Sequence, residues 1–346
     1  MPKRIKNCFD DKLKLINLRD AFLRTKKNKM RRIGLLKYEM NLEVNLSKLR
    51  TALINGTYTN GRYRTFTIYE PKERIIKALP FEDRIVHQWI VHEFIMPFFV
   101  PRFIKTSCAC LDDKGTHYAV NYTQKYMRNM KRKYGNYYII KCDISKFFYS
   151  IDQDILYNIL NTKIKDKKLL SLIKGLIYHS EDNIGIPIGN YTSQYFANIY
   201  LNEMDYYIKN NLKVKYYVRY MDDFVMFVKN KEECLFTMDK VSLYLNDKLH
   251  LKLNPKSKYY PSKMGVNFCG YHIFETHKLL RKSCKIKIKK KIRKWNKNYL
   301  NNKLNIKDVI LSWNSWLGHS SHSNSYNIIG KMYDKIIFKY KLRRYL

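Results

Sequence analysis

Residues 216–228 read YYVRYMDDFVMFV. Two largely apolar, aromatic runs, Tyr216–Tyr220 and Phe224–Val228, flank Met221-Asp222-Asp223. The pattern predicts a β-hairpin with acids at its tip. Adjacent carboxylates repel each other and cost stability unless a cation neutralises them. A solvated turn is the ordinary setting for aspartate, but the apolar flanks make this tip emerge from a core sheet. Upstream, NYYIIKCDI (136–144) predicts a buried strand ending near Asp143. Three carboxylates on neighbouring strand ends can hold two Mg²⁺ ions about 4 Å apart. Hard oxygen ligands suit Mg²⁺, whereas the scattered His and Cys do not suit zinc.

Farther out, residues 152–178 and 191–210 predict helices, the second after a turn at Ile186-Pro187-Ile188-Gly189. A helix and a short β-ribbon (266–274) follow the hairpin. Residues 62–80 predict two strands joined by a turn at Glu70-Pro71-Lys72, and residues 10–55 and 81–100 have helical spacing. This order predicts an α+β fold, with helices behind an antiparallel sheet whose open face carries the acids.

The net charge of +38, from 67 Lys and Arg against 29 Asp and Glu, points to a polyanionic partner. An AT-rich codon bias would raise lysine without depleting acids, so nucleic acid is the favoured partner over an anionic membrane. Residues 281–346 hold eighteen Lys and Arg against two acids. They also place Val309, Trp313, Trp316 and Leu317 on one helical face, so the tail is folded and basic. No apolar run reaches membrane-spanning length, and no signal-peptide core follows the basic start. The seven cysteines form no CxxC pair and read as buried free thiols of a reducing cytoplasm.

YMDDF, preceded by DISKFFYSID (143–152), resembles the catalytic motifs of reverse transcriptases. The ordered set carries the resemblance: PKERIIKALPFEDRIVHQ, DISKFF, GIPIGNYTSQYFANIYLNEMD, YVRYMDDFVMF, LNPKSKYY and VNFCGYH, over roughly residues 60–275. It implies a right-hand polymerase fold: a helical extension (1–55), fingers (56–135), palm (136–278, with 153–185 partly fingers) and a basic helical thumb (279–346). It implies Asp143, Asp222 and Asp223 as catalytic residues. With Ile144 they mark the site of two Mg²⁺ ions, for which Mn²⁺ can substitute. Lys72 and Arg74 would grip the triphosphate, Arg74 better through its forked donors. Phe148 would be the steric gate against a ribose 2′-hydroxyl, and Phe147 the core residue, because alternate side chains of an extended segment diverge. Ile188, Gly189, Gln194 and Lys256 would complete the nucleotide site, with Lys256 and Lys258 both open as proton donor. Phe268, Cys269 and Gly270 would form the primer grip. His319 and His322 read as thumb packing or RNA contacts.

Many reverse transcriptases read PQGxxxSP where this chain has Pro187-Ile188-Gly189-Asn190-Tyr191-Thr192-Ser193-Gln194. That IGNxTSQ form resembles the enzymes of diversity-generating retroelements. The resemblance implies cDNA synthesis from a template-repeat RNA, error-prone at template adenines. Isoleucine has no donor or acceptor, so exchanging glutamine for Ile188 removes a polar hold on the nucleotide. Expected partners are template RNA, the RNA–DNA duplex, dNTPs and a small basic accessory protein, in a bacterial or phage-encoded cytoplasmic setting without a membrane. A retron, group II intron-like or phage-defence enzyme is the alternative; the lack of a maturase or endonuclease extension in this sequence weighs against the intron version.

Overall fold

The computed structural model describes residues 4–28, 33–69, 72–178 and 182–342. Its strands are β1 (Arg64–Ile68), β2 (Arg74–Ala78), β3 (Tyr138–Asp143), β4 (Tyr216–Tyr220), β5 (Asp223–Val228), β6 (Lys258–Pro261), β7 (Val266–Phe268), β8 (Tyr271–Ile273) and β9 (Lys278–Leu280). The helices up to the acidic hairpin are α1 (Phe9–Lys12), α2 (Leu15–Lys26), α3 (Ile33–Glu39), α4 (Leu42–Ile54), α5 (Phe81–Ile90), α6 (Met96–Phe99), α7 (Thr116–Tyr134), α8 (Phe147–Ser150), α9 (Gln153–Lys163), α10 (Lys167–Ile177) and α11 (Tyr191–Tyr206). After it come α12 (Lys231–Leu249), α13 (Lys282–Leu300), α14 (Ile306–Ser320), α15 (Tyr326–Tyr333) and α16 (Lys339–Leu342). The chain forms two compact units. The first is Met1–Leu111, Asp143–Lys213 and Thr237–Lys256; the second is Asp112–Cys142, Val214–Phe236 and Ser257–Leu346.

In the first unit, β1 and β2 pair in the expected antiparallel hairpin, from Arg64↔Ala78 to Ile68↔Arg74. Glu70 and Pro71 of the expected turn lie outside the described residues. The helical reading of 10–55 resolves into α1 to α4. The single helix expected over 152–178 is two, because aspartate caps restart it. Asp152 accepts from the Ile155 N–H at 2.9 Å, and Asp166 accepts from the Leu169 N–H at 3.1 Å. Such caps satisfy N–H groups that a helix start leaves open. Asp166 is also fixed from the N-terminal segment, accepting from the amides of Cys8 (2.8 Å) and Phe9 (2.9 Å). Helix α11 ends in a π-helical turn over Tyr207–Asn211, and α5 runs into another over Val91–Ile95.

In the second unit, four strands form a sheet in the order β4-β5-β3-β6. β5 is buried from Phe224 to Val228, which is why FVMFV shows no polar alternation. β3 alternates only partly, with Ile139, Ile140 and Cys142 buried. Helix α7 packs behind β4 and β5; the Tyr126 and Tyr216 rings lie 5.1 Å apart. The 266–274 ribbon gains a third strand, giving the order β7-β8-β9. The basic tail is helical around Ile288, Ile292, Val309, Trp313, Met332, Ile336 and Phe338, with Trp316 and Leu317 half-buried beside them. The helices and antiparallel pairings are those of an α+β fold.

No helix among the described residues is long and apolar enough to cross a membrane. The cysteines are free, but only Cys108, Cys142 and Cys234 are buried; Cys8, Cys110, Cys269 and Cys284 are partly exposed, so the buried-thiol expectation holds for a minority.

Two measurements check this packing. Trp313→Ala should destabilise the tail by about 3–5 kcal/mol, seen as faster hydrogen exchange across residues 282–342. Unchanged exchange would contradict the cluster. His87 is buried on α5, with Nδ1 2.7 Å from Thr192 Oγ1, and burial pushes its pKa down to about 3. An unfolded histidine titrates near 6.5. The neutral ring's contribution is therefore complete above about pH 6.5 and lost as pH falls toward 3. The melting temperature of the wild type should fall more steeply across that window than that of His87→Asn; equal slopes would contradict it.

Candidate active site

The acidic hairpin pairs from Tyr216↔Phe227 to Tyr220↔Asp223, so Met221 and Asp222 form a two-residue turn. Met221 has φ +56°, a left-handed conformation that is uncommon for a side chain of this kind. Such a conformation persists only where its surroundings impose it. Here Arg219, fully buried within β4, donates from Nη1 to the Met221 carbonyl at 3.2 Å. Asp222 and Asp223 are both partly exposed. Lys141 of neighbouring β3 forms an ion pair with Asp223, and its ammonium also lies 5.2 Å from the Phe268 ring centroid. The sheet thus sets a cation against the paired carboxylates. Among the described residues, no three His, Cys, Asp or Glu side chains close into a metal cage. The oxygen donors of Asp222 and Asp223 fit a hard divalent cation, and the Lys141 ammonium stands in for one at Asp223.

Asp143 is the last residue of β3 and opens the first unit's second segment. Along β3, Lys141 and Asp143 are partly exposed and Cys142 between them is buried, so Lys141 and Asp143 share a face. The loop after α12 holds Asp143 from two sides. The Asn254 amide donates to the Asp143 carbonyl at 2.8 Å, and Asn254 Nδ2 donates to Oδ2 at 3.0 Å. Ile144, 1% exposed, bridges Leu253.

The other sequence-predicted positions divide between the units. In the first, Lys72 and Arg74 are exposed at the start of β2. The next amide, Ile75 N–H, donates to the Tyr149 hydroxyl at 3.2 Å. The Ile186 amide donates to the Phe148 carbonyl at 2.8 Å, and the Lys77 amide to the Ile188 carbonyl at 2.9 Å. Strand β2, Phe148 and the Ile186–Gly189 loop are therefore one hydrogen-bonded neighbourhood. Gly189 has φ +128°, and a Cβ there would lie 2.7 Å from the Lys77 carbonyl, so the approach of β2 requires glycine. Gln194 is half-buried on α11. Phe147 is buried and Phe148 half-exposed, but the backbone is not the extended segment expected. Lys146 is left-handed (φ +46°) and opens the one-turn helix α8, which separates the two rings instead of strand alternation. Lys256 is exposed, its amide donating to Asn254 Oδ1 at 3.0 Å; Lys258 lies on β6 opposite Lys141.

In the second unit, Phe268 is buried and pairs with Tyr271 across Cys269 (φ +46°) and Gly270 (φ +89°). Two left-handed residues match the twist a two-residue hairpin needs. His319 packs against this turn: a Cβ on Gly270 would lie 3.0 Å from its ring, and the Tyr271 hydroxyl donates to the His319 carbonyl at 2.7 Å. His322 stacks on His117 with centroids 3.6 Å apart. Desolvation lowers the pKa of both His319 and His117.

The reverse transcriptase (RNA-dependent DNA polymerase) family profile matches residues 67–273, more than half of the chain. The chain belongs to the reverse transcriptase family. Its helices and antiparallel sheets fit the right-hand polymerase fold of that family. It is 24% identical over 281 residues to the putative COX1/OXI3 intron 2 protein of Saccharomyces cerevisiae, covering 62% of the chain and 31% of the relative. It is 24% identical over 329 residues to the group II intron-encoded protein LtrA of Lactococcus lactis, covering 73% and 52%. The chain thus spans about a third to a half of the length of these relatives. A solved apo telomerase from Candida tropicalis aligns with TM-score 0.46 and 13% identity, over 65% of the chain and 54% of that structure.

Sequence reasoning missed Lys141, Arg219 and Asn254. Lys141 was visible only as a cation two residues before Asp143, and Arg219 only as a charge inside an apolar strand. Replacing Lys141 by Met should lower the Mg²⁺ concentration for half-saturation severalfold in calorimetric titration. An unchanged titration would show that the ammonium does not compete for the carboxylates.

Proposed function

We propose that this chain is an RNA-directed DNA polymerase that extends a primer along an RNA template with dNTPs. The acidic tip carries the reading: two carboxylates on a strained turn, faced by a cation, inside the span that matches the family. Asp143, the acid of DISKFF, joins them by the resemblance of its motif.

In this reading Asp143, Asp222 and Asp223, with Ile144 adjoining, hold two Mg²⁺ ions, and Mn²⁺ can substitute. Bound divalent ions supply charge neutralisation at the triphosphate and a lowered pKa at the primer 3′-hydroxyl. Asn254 orients Asp143 through its 3.0 Å hydrogen bond. Lys72 and Arg74 contact the triphosphate, Phe148 excludes a 2′-hydroxyl, and Ile188, Gly189 and Gln194 border the nucleotide. Lys256 is a proton donor to pyrophosphate, with Lys258 the other choice. Phe268, Cys269 and Gly270 seat the primer. Residues 56–135 act as fingers, 136–278 as palm and 279–346 as a thumb whose lysines follow duplex phosphates; residues 1–55 are a helical extension.

Ile188 and Gln194, departing together from PQGxxxSP, favour an enzyme of a diversity-generating retroelement. Such an enzyme copies a template-repeat RNA, miscopies adenines and works with a small basic accessory protein. The intron-encoded relatives favour a group II intron-like role as the second reading.

Primer extension on RNA with dNTPs, followed by sequencing, tests both levels. Extension should require a divalent ion and vanish in Asp222→Ala and Asp223→Ala; retained activity would overturn the polymerase reading. Faithful copying of template adenines would overturn only the error-prone subclass. Phe148→Ala should raise ribonucleotide incorporation by roughly a hundredfold relative to dNTP; unchanged sugar selectivity would remove Phe148 from the gate.

A further inference from the structure

Helix α7 carries an aromatic and basic face in the second unit. Tyr118, Tyr122 and Tyr126 recur at i, i+4 and i+8, which lines them up along one side of the helix. Their ring centroids step by 4.6 and 5.8 Å, and Tyr216 at the start of β4 continues the series 5.1 Å beyond Tyr126. All four residues are half-buried, so each keeps part of its surface in water. Ammonium groups border the series. Lys114 lies 5.8 Å from the Tyr118 centroid, Lys125 5.7 Å from that of Tyr122 and Lys215 5.8 Å from that of Tyr216.

The charge on this helix is one-sided. It holds Lys125, Arg128, Lys131, Arg132 and Lys133 and no Asp or Glu. Like charges at i, i+4, the spacing of Arg128 and Arg132, are destabilising. The helix dipole offsets part of that repulsion in the last turn, but Lys125 and Arg128 lie outside it. Glu275, whose carbonyl accepts from Arg128, already has its carboxylate engaged by the Tyr137 hydroxyl at 2.9 Å. A polyanion laid along the face would relieve the repulsion. Stepped rings with a cation beside them suit successive bases and the phosphates between them, the build of a sequence-tolerant single-strand site. A duplex hides its base faces, and an acidic protein would meet the charge but does not call for evenly stepped rings. By register Tyr220, not Tyr216, adjoins the acidic tip, so the series ends about 13 Å along β4 from the acids.

We propose that the α7 face binds an unpaired stretch of the RNA template, outside the primer–template duplex. Bases stack on Tyr118 and Tyr122, and Lys125 and Arg132 contact the phosphates. The assignment rests on the polymerase reading above, which supplies a long RNA single strand. It gives the enzyme a second hold on that RNA besides the thumb lysines, one that is indifferent to base sequence.

The test is fluorescence anisotropy of the full chain with a DNA primer annealed to either of two RNA templates, without metal or dNTP. One template is blunt and the other has a long unpaired 5′ extension. The extension should tighten binding, and Tyr122→Leu should weaken binding of the extended template roughly tenfold. Lys125→Gln, at an exposed position, should flatten the salt dependence of that binding by about 0.7 in log–log slope. Neither variant should change binding of the blunt duplex, and circular dichroism checks their folding. An extension without effect, or affinity and slope unchanged in both variants, would overturn the proposal alone. So would an effect that survives pairing of the extension with a complementary strand. Displacement of the extension by polyglutamate at lower concentration than by single-stranded RNA would overturn it in favour of an acidic protein. Failure to bind either template would overturn the polymerase reading with it.

Discussion

Two adjacent carboxylates at the tip of a buried hairpin are the constraint on which the rest of this structure depends. Asp222 and Asp223 repel each other, and their partial exposure leaves that repulsion only partly screened by water. The surroundings respond at three points. Arg219 is buried inside β4 and ties the Met221 carbonyl, so the turn keeps its left-handed residue. Lys141 sets an ammonium against Asp223. Strands β4 and β5, apolar almost throughout, anchor the tip to a packed core rather than to a flexible loop. A fixed geometry of this kind lets oxygen ligands hold hard cations without reorganising.

The hairpin was legible because its two signals, apolar strands and a polar tip, lie within thirteen contiguous residues. The β1–β2 pair and the helical tail were legible for the same reason: period 2 and period 3.6 are local. What escaped depends on partners distant in sequence. Asp166 looks like a surface acid inside a helix, and only its bonds to Cys8, Phe9 and Leu169 show why the helix restarts there. Lys141 and Arg219 meet the acidic tip by virtue of strand order and register, which periodicity does not encode. Gly189 is forced by the approach of Lys77, more than a hundred residues away in sequence. Phe147 is buried as expected, but the argument from extended backbone does not apply to the one-turn helix that Phe147 and Phe148 occupy.

Family membership and subclass rest on different residues. The motif set over 67–273 places the chain among reverse transcriptases. The subclass reading turns on the loop before α11 and the first turn of that helix, where Ile188 and Gln194 replace a polar and a cyclic residue. That loop is also where β2 hydrogen-bonds, through the Lys77 amide and the Ile188 carbonyl. On the proposed reading, this short segment borders the incoming nucleotide. Changes in it can alter copying behaviour without altering the metal-holding acids.

The central claim is that the acids of the sheet face hold the ions of a polymerase. Electron paramagnetic resonance of Mn²⁺ titrated into the chain with primer–template and a non-hydrolysable dNTP tests it most directly. The account predicts a spin-coupled pair of Mn²⁺ ions in the wild type, and its loss in Asp223→Asn with duplex binding intact. The same coupled pair in Asp223→Asn, or only uncoupled Mn²⁺ in the wild type, would contradict it.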